Sequence, residues 1–204
     1  MSESAQYPVV DSRLIYDGRV VTLRADSVRM SDGSVAVREV VAHPGAVAIA
    51  ALDEHDRIVM VRQYRHPVRR YLDELPAGLL DVAGESPLDA AARELYEETA
   101  LRASEWHVLL DLYSSPGMTD EAIRVFLARG LTEVPAGERY RADGEELTMT
   151  VHRVELATAV ARVLAGEINN GPAIAGILAA AAAQADSFAQ LRRADAPDVT
   201  RARR

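Results

Sequence analysis

Three glutamates, Glu94, Glu97 and Glu98, stand at i, i+3 and i+4 in the stretch that reads most clearly as a helix. Their carboxylates therefore crowd one surface, although like charges at this spacing disfavour an isolated helix. Arg93 precedes them and the core-stripe residue Leu95 sits among them, so this face lies at the edge of the buried stripe. Carboxylates held close and partly desolvated call for a divalent cation or for raised pKa values. With hard oxygen donors and no His or Cys beside them, Mg²⁺ or Mn²⁺ suits the set better than Zn²⁺. A solvated acidic helix face is the alternative that spacing by itself leaves open.

The elements around these acids follow from local pattern. Ser86 is a good N-cap, Pro87 falls at the first helical position, and Asp89 can close a capping box. Leu88, Ala91, Ala92, Leu95 and Thr99 then form an apolar stripe at helical spacing. Upstream, Gly45 to Leu52 is almost wholly apolar, as a strand buried on both faces should be. Asp53 to Asp56 reads as a turn and Arg57 to Tyr64 as a returning strand, which predicts a hairpin. Leu72 to Leu75 is a further short strand stopped by Pro76. Strands are also expected at Trp106–Leu112, Ile123–Arg129 and Leu147–Val154, and helices at Leu156–Ala165 and Ala173–Ala183.

Residues 12 to 43 read as a small antiparallel meander, with Val20–Leu23 and Val35–Val41 as strands and Ser31-Asp32-Gly33 as a turn. About 40 residues cannot close a core alone, so the meander must pack on the main domain or on a partner chain. The expected organisation is therefore residues 1–43 as an N-terminal β segment, 44–184 as the main domain, and 185–204 as a loose polar tail.

Composition narrows the class. The chain has 204 residues, 49% of them hydrophobic and 26% charged, which suits a folded globular protein. No apolar run approaches the roughly 20 residues of a membrane span, and the start lacks the order of a secretory signal. Without cysteine there is no disulfide framework and no thiolate zinc site, which points to the cytoplasm. A net charge of −8 argues against binding nucleic acid through the overall field. All 23 basic residues are arginine, a bias read as coding preference rather than phosphate selection.

Gly78-Leu-Leu-Asp-Val-Ala-Gly-Glu85, followed by Arg93-Glu94-Leu95-Tyr96-Glu97-Glu98-Thr99-Ala100-Leu101, resembles the Nudix box. Six residues rather than five separate Gly78 from Glu85, and the box's glycine is Ala100 here. Ala100 suffers strain if its φ is positive and is favoured if it is simply helical. The resemblance implies an α/β fold: an α/β/α sandwich around a mixed sheet, with the box as loop–helix–loop. It implies metal-assisted hydrolysis of a nucleoside diphosphate linked to another group. By position, Glu94, Glu97 and Glu98 would hold Mg²⁺, or Mn²⁺, with the Ala77 carbonyl, while Glu85 and Arg93 would form a structural pair.

Arg62-Gln-Tyr-Arg65, Glu74-Leu-Pro-Ala-Gly78, and Pro116-Gly117 placed 16 residues beyond Ala100 make the chain similar to the ADP-ribose pyrophosphatases. That similarity implies a homodimer whose N-terminal strands reach the partner's pocket. Arg62 and Arg65 are candidates to contact phosphate or ribose, Tyr64 or Tyr16 to stack on adenine, and Pro116 and Gly117 to shape the substrate loop. The base that activates water is expected in the loop around Gly144, as Glu145 with Glu146 its rival, or else Glu98 serves. His43, His55, His66, His107 and His152 show no ligand spacing. The expected substrate is ADP-ribose. Hydrolysis of another nucleoside diphosphate sugar is the neighbouring alternative, and a non-catalytic ADP-ribose sensor is disfavoured because all three helix glutamates are present.

Overall fold

The computed structural model describes residues 7–141 and 147–200, which fall into two compact units. The first comprises the chain up to Gly45 together with Tyr113–Glu121, and the second Ala46–Leu112 together with Ala122 onward.

In the first unit β1 (Val9–Asp17), β2 (Thr22–Arg29) and β3 (Val35–Ala42) form an antiparallel meander in that order. The β2–β3 turn closes through Met30, whose N–H donates to the Ser34 carbonyl at 2.8 Å, and Gly33 supplies a φ of +86°. Asp26 is buried on β2, where the Ser12 hydroxyl and then Arg24 hold its carboxyl below the ordinary range. Every residue of β1 is exposed, Val9, Val10, Leu14, Ile15 and Tyr16 included. The segment 113–121 belongs to this unit because it bonds to the end of β3. The Val41 N–H donates to Met118 O at 2.8 Å, Thr119 Oγ1 donates to Val41 O at 2.8 Å, and the His43 N–H donates to Asp120 at 2.9 Å.

The second unit has helices on both sides of its sheets. β4 (Ala46–Ala51) runs parallel to β9 (Ala122–Glu133) and antiparallel to β7 (Ala77–Leu79), inside a five-stranded sheet that β8 (Leu101–Tyr113) and β11 (Arg192–Arg193) complete. β5 (Arg57–Arg65), flanked by β6 (Arg70–Glu74) and β10 (Thr150–Glu155), forms a second, antiparallel sheet. Alternation along β4 divides the core. Val47, Ile49 and Ala51 pack with α1 (Pro87–Thr99), whereas Ala48, Ala50 and Leu52 pack with α2 (Leu156–Leu164) and α3 (Gly171–Ala185). The α/β/α arrangement around a mixed sheet is thus as expected.

Several local expectations change. The hairpin of Gly45–Leu52 with Arg57–Tyr64 reduces to a corner: only Leu52 and Ile58 bridge, because β4 pairs with β7 and β9 while β5 turns into the other sheet. Ala90, not Ala92, joins Ala91 and Leu95 in the buried face of α1. Within the described residues the polar tail also makes defined contacts with the main domain. Arg192 and Arg193 pair with Val108 and His107 of β8, Arg192 binds Asp111 at 2.8 Å, and Arg124 donates to the Ala196 carbonyl at 2.7 Å. Asp111, its side chain 1% exposed, also binds Arg124 at 2.7 Å. Burial alone would raise its carboxyl pKa, but the two guanidiniums outweigh burial and hold it low.

Candidate active site

α1 delivers the glutamates because both of its ends are fixed. Ser86 accepts the Asp89 N–H at 3.1 Å, and Ala100, in the left-handed region at φ 53° and ψ 37°, donates its N–H to Tyr96 O at 2.9 Å. The extra loop residue is absorbed ahead of the helix, where the Glu85 N–H donates to Val82 O at 3.2 Å across Gly84 at φ +82°.

Arg93 organises the acids. Its Nε and Nη2 grip Glu85 at 2.8 and 3.0 Å, while Nη1 reaches Glu94 at 2.6 Å and Glu97 at 3.1 Å. The guanidinium lowers the Glu85 pKa, and the three carboxylates raise that of Arg93, Glu85 most of all. The expected Glu85–Arg93 pair is therefore present, and the same arginine also neutralises two of the three helix acids.

Glu94 and Glu98 converge on the β7 strand. Glu98 accepts the Ala77 N–H at 3.0 Å. Glu94 lies so close over Gly78 that a Cβ there would fall 2.0 Å from the Glu94 carboxyl carbon. A side chain at this position would displace the Glu94 carboxylate, which occupies the space it would need. Two carboxylates thus meet beside the Ala77 peptide, and Glu97 is turned toward Arg93. Among the described residues no three His, Cys, Asp or Glu side chains are already drawn into a metal cage. The donor set, all hard oxygen, fits a hydrated divalent cation of the Mg²⁺ type, which keeps several waters.

Strand register sorts the upstream candidates. Residues directly opposite across a ladder share a face. Arg62 and Tyr64 oppose Asp73 and Tyr71, whereas Val59 and Val61 oppose Arg153 and Glu74. Val59 packs with α1 and Met60 with α2 and α3, which identifies the two faces. Arg65 therefore shares the α1 face, and it grips buried Glu74 at 2.9 and 2.7 Å. Arg62 lies on the other face, bonded at 3.1 Å to buried Asp73, which Arg162 also binds. Burial pushes the Asp73 carboxyl up, and its bonds to Arg162 and Arg62 more than offset that. Tyr64 stacks at a tilt on Tyr71, 5.5 Å between centroids. Pro116, Gly117 and Tyr16 belong to the first unit. Glu145 and Glu146 lie outside the described residues.

Asp73 and Arg162 escaped the sequence reading, and Glu74 entered it only as part of a motif without a role, although two adjacent acids beside the apolar Leu72 and Leu75, with Asp73 facing Arg62 across the hairpin, were a usable signal. The convergent hard-oxygen donors could hold a divalent metal, and on the α1 face of the neighbouring antiparallel sheet Arg65 is fixed by a buried carboxylate, a chemistry suited to a bridged phosphate.

The NUDIX domain family matches residues 42–168. The chain belongs to the Nudix hydrolase family. Members of that family are divalent-metal-dependent enzymes. Residues 8–41 match the nucleoside diphosphate sugar hydrolase N-terminal domain, the β1–β3 meander. The chain is 50% identical to an ADP-ribose pyrophosphatase of Mycobacterium tuberculosis over 96% of its own length and 92% of the relative's. It is 36% identical to an ADP-ribose pyrophosphatase of Bacillus subtilis, covering 81% of this chain and 88% of the other. A crystal structure described as an ADP compounds hydrolase superposes with a TM-score of 0.76 at 22% identity, over 91% of this chain and 99% of the other, a likeness of fold. No helix among the described residues of this Nudix chain is long and apolar enough to cross a membrane.

Proposed function

We propose that this enzyme hydrolyses the pyrophosphate of ADP-ribose, giving AMP and ribose 5-phosphate, with Mg²⁺ as its metal. The convergence of Glu94 and Glu98 on the Ala77–Gly78 peptide carries this reading, together with likeness to ADP-ribose pyrophosphatases along nearly the whole chain. Glu94, Glu97, Glu98 and the Ala77 carbonyl would hold the metal. A bound divalent cation neutralises adjacent phosphates and acidifies an attacking water.

The chain's own groups do the rest. Arg93 keeps the acids from repelling one another and fixes the helix to Glu85. Arg65, anchored by Glu74, would contact a phosphate oxygen of the substrate. Glu145, with Glu146 as its rival, accepts the proton of the attacking water, and the Pro116–Gly117 loop borders the substrate. We assign the enzyme to the cytoplasm on its cysteine-free composition, and to a homodimer joined through β1–β3, whose exposed valine, leucine, isoleucine and tyrosine side chains need cover. A second reading, another nucleoside diphosphate sugar as substrate, is favoured by the match of residues 8–41.

A substrate panel decides between them: ADP-ribose, other nucleoside diphosphate sugars and dinucleoside polyphosphates with Mg²⁺, products separated by chromatography. ADP-ribose is expected to be cleaved fastest, to AMP and ribose 5-phosphate. Cleavage of dinucleoside polyphosphates without cleavage of ADP-ribose overturns the reading.

A further inference from the structure

A cleft of about 330 Å³ lies beyond the C-terminal end of α1, lined by Thr99, Ala100, Leu101, Glu133, Arg139 and Arg153 among others. Arg153 opposes Val59 in the ladder, so the cleft opens on the same sheet face as α1, and its wall begins one residue after Glu98. Nothing in the hydrolytic chemistry of Glu94, Glu97 and Glu98 calls for these arginines.

Among the described residues, the charges lining the cleft do not cancel. Arg139 donates Nε to the Val134 carbonyl at 3.2 Å, and among the described residues its Nη groups meet no protein acceptor. Arg153 gives one Nη to Glu133 at 3.4 Å, a long and largely exposed contact that contributes little. His152 also borders the cleft, but its ring lies near Asp73 of the opposite face and burial pushes its pKa down, so it adds no charge near neutral pH. Among the described residues lining the cleft, two guanidiniums thus face one carboxylate, in a chain whose net charge is −8.

A space of this size, at the lower end for ligand pockets, suits a small ligand and not a dinucleotide. Guanidinium forks match phosphate oxygens in bidentate pairs. The ligand must also draw Arg153 from Glu133, which a phosphomonoester does better than a carboxylate because it carries more than one negative charge at neutral pH. We propose that this cleft is a phosphomonoester-binding site, separate from the metal-binding carboxylates, built by Arg139 and Arg153 with Glu133 as internal competitor.

Isothermal titration of the full chain with inorganic phosphate, divalent ions chelated so that no metal can carry the anion, tests this. The wild-type chain is expected to bind, Arg153→Gln and Arg139→Gln each to weaken binding tenfold or more, and Glu133→Gln to tighten it several-fold. Circular dichroism and thermal melts confirm that each variant is folded, and both arginines are partly exposed, so the pair of variants gives two independent readings. Ribose 5-phosphate titrated alongside separates the sources. Tighter binding than inorganic phosphate identifies a sugar phosphate as occupant, and equal binding identifies the free anion. Absence of wild-type binding, unchanged affinity in both arginine variants, or weaker binding by Glu133→Gln overturns the proposal.

Discussion

Ala100→Gly should stabilise this enzyme, although the same substitution inside a helix is destabilising. Ala100 ends α1 at φ 53° and ψ 37°, where an L residue sits roughly 1–2 kcal/mol above its right-handed conformation. Glycine escapes that strain but frees the unfolded chain by about 0.4–1 kcal/mol. Losing a half-buried methyl removes a few tenths more. The balance is about 0.5 kcal/mol in favour of glycine, a rise of about 1–2 °C in Tm for a chain of this length. Were the residue simply helical, glycine would destabilise by about 0.8–1 kcal/mol, so the sign alone discriminates. Trp106, packed edge-on against Phe126 with centroids 6.1 Å apart, is the single tryptophan and reports unfolding in a urea titration. The midpoint should rise with an unchanged m value. Ala100→Val, β-branched in the same conformation, should lower it by more than about 1 kcal/mol. A lower midpoint for the glycine variant refutes the reasoning.

Gly78→Ala should leave folding within about 1 kcal/mol of wild type, because the flexible end of Glu94 can swing away, yet collapse turnover. A chemical melt beside a rate assay checks both halves. Glu98→Gln keeps an acceptor for the Ala77 N–H while losing the charge, so turnover should fall by about a hundredfold or more with little change in Tm. Asp111→Asn leaves Arg124 buried without its counter-charge and should destabilise by about 3 kcal/mol at pH 7. The Asp111 and Asp73 pKa values are depressed on folding, so their stabilisation is complete above the ordinary carboxylate range near pH 4 and is lost as pH falls through their lower folded values. The gap between wild type and Asp111→Asn in urea midpoint should therefore be constant from pH 7 to about 5 and narrow below about 4. Leu14→Asp, placed on the exposed face of β1, should give a monomer by light scattering if that sheet is the dimer contact.

What could be read from sequence was what local chemistry dictates. Ser86, Pro87 and the glutamate spacing located α1 and its acids because caps and helical period act within a few residues. Ala90 and Ala92 were confused because alanine gives an amphipathic pattern little contrast. The burial of β4 was legible from its apolar run, but its partners were not. A short turn suggested β5, whereas the ladders run to β7 and to β9, more than 70 residues on. Segment 113–121 and the contacts of the tail escaped for the same reason: Thr119 answers to Val41 and Arg192 to Asp111, at separations of 78 and 81 residues. The motif found the Arg93–Glu85 pair. That Arg93 also spans Glu94 and Glu97 is a matter of rotamers, which spacing does not encode.

The bonds between β3 and segment 113–121 bear on how this protein can be cut. Expression from residue 44 onward looks like clean removal of an appendage. It would take away the peptide groups of Val41 and His43, to which Met118, the Thr119 hydroxyl and the Asp120 carboxylate are tied. The Pro116–Gly117 turn would then hang from the catalytic half as an untethered loop. Anyone comparing such a fragment with the whole enzyme would be measuring the loss of that anchorage along with the loss of the meander.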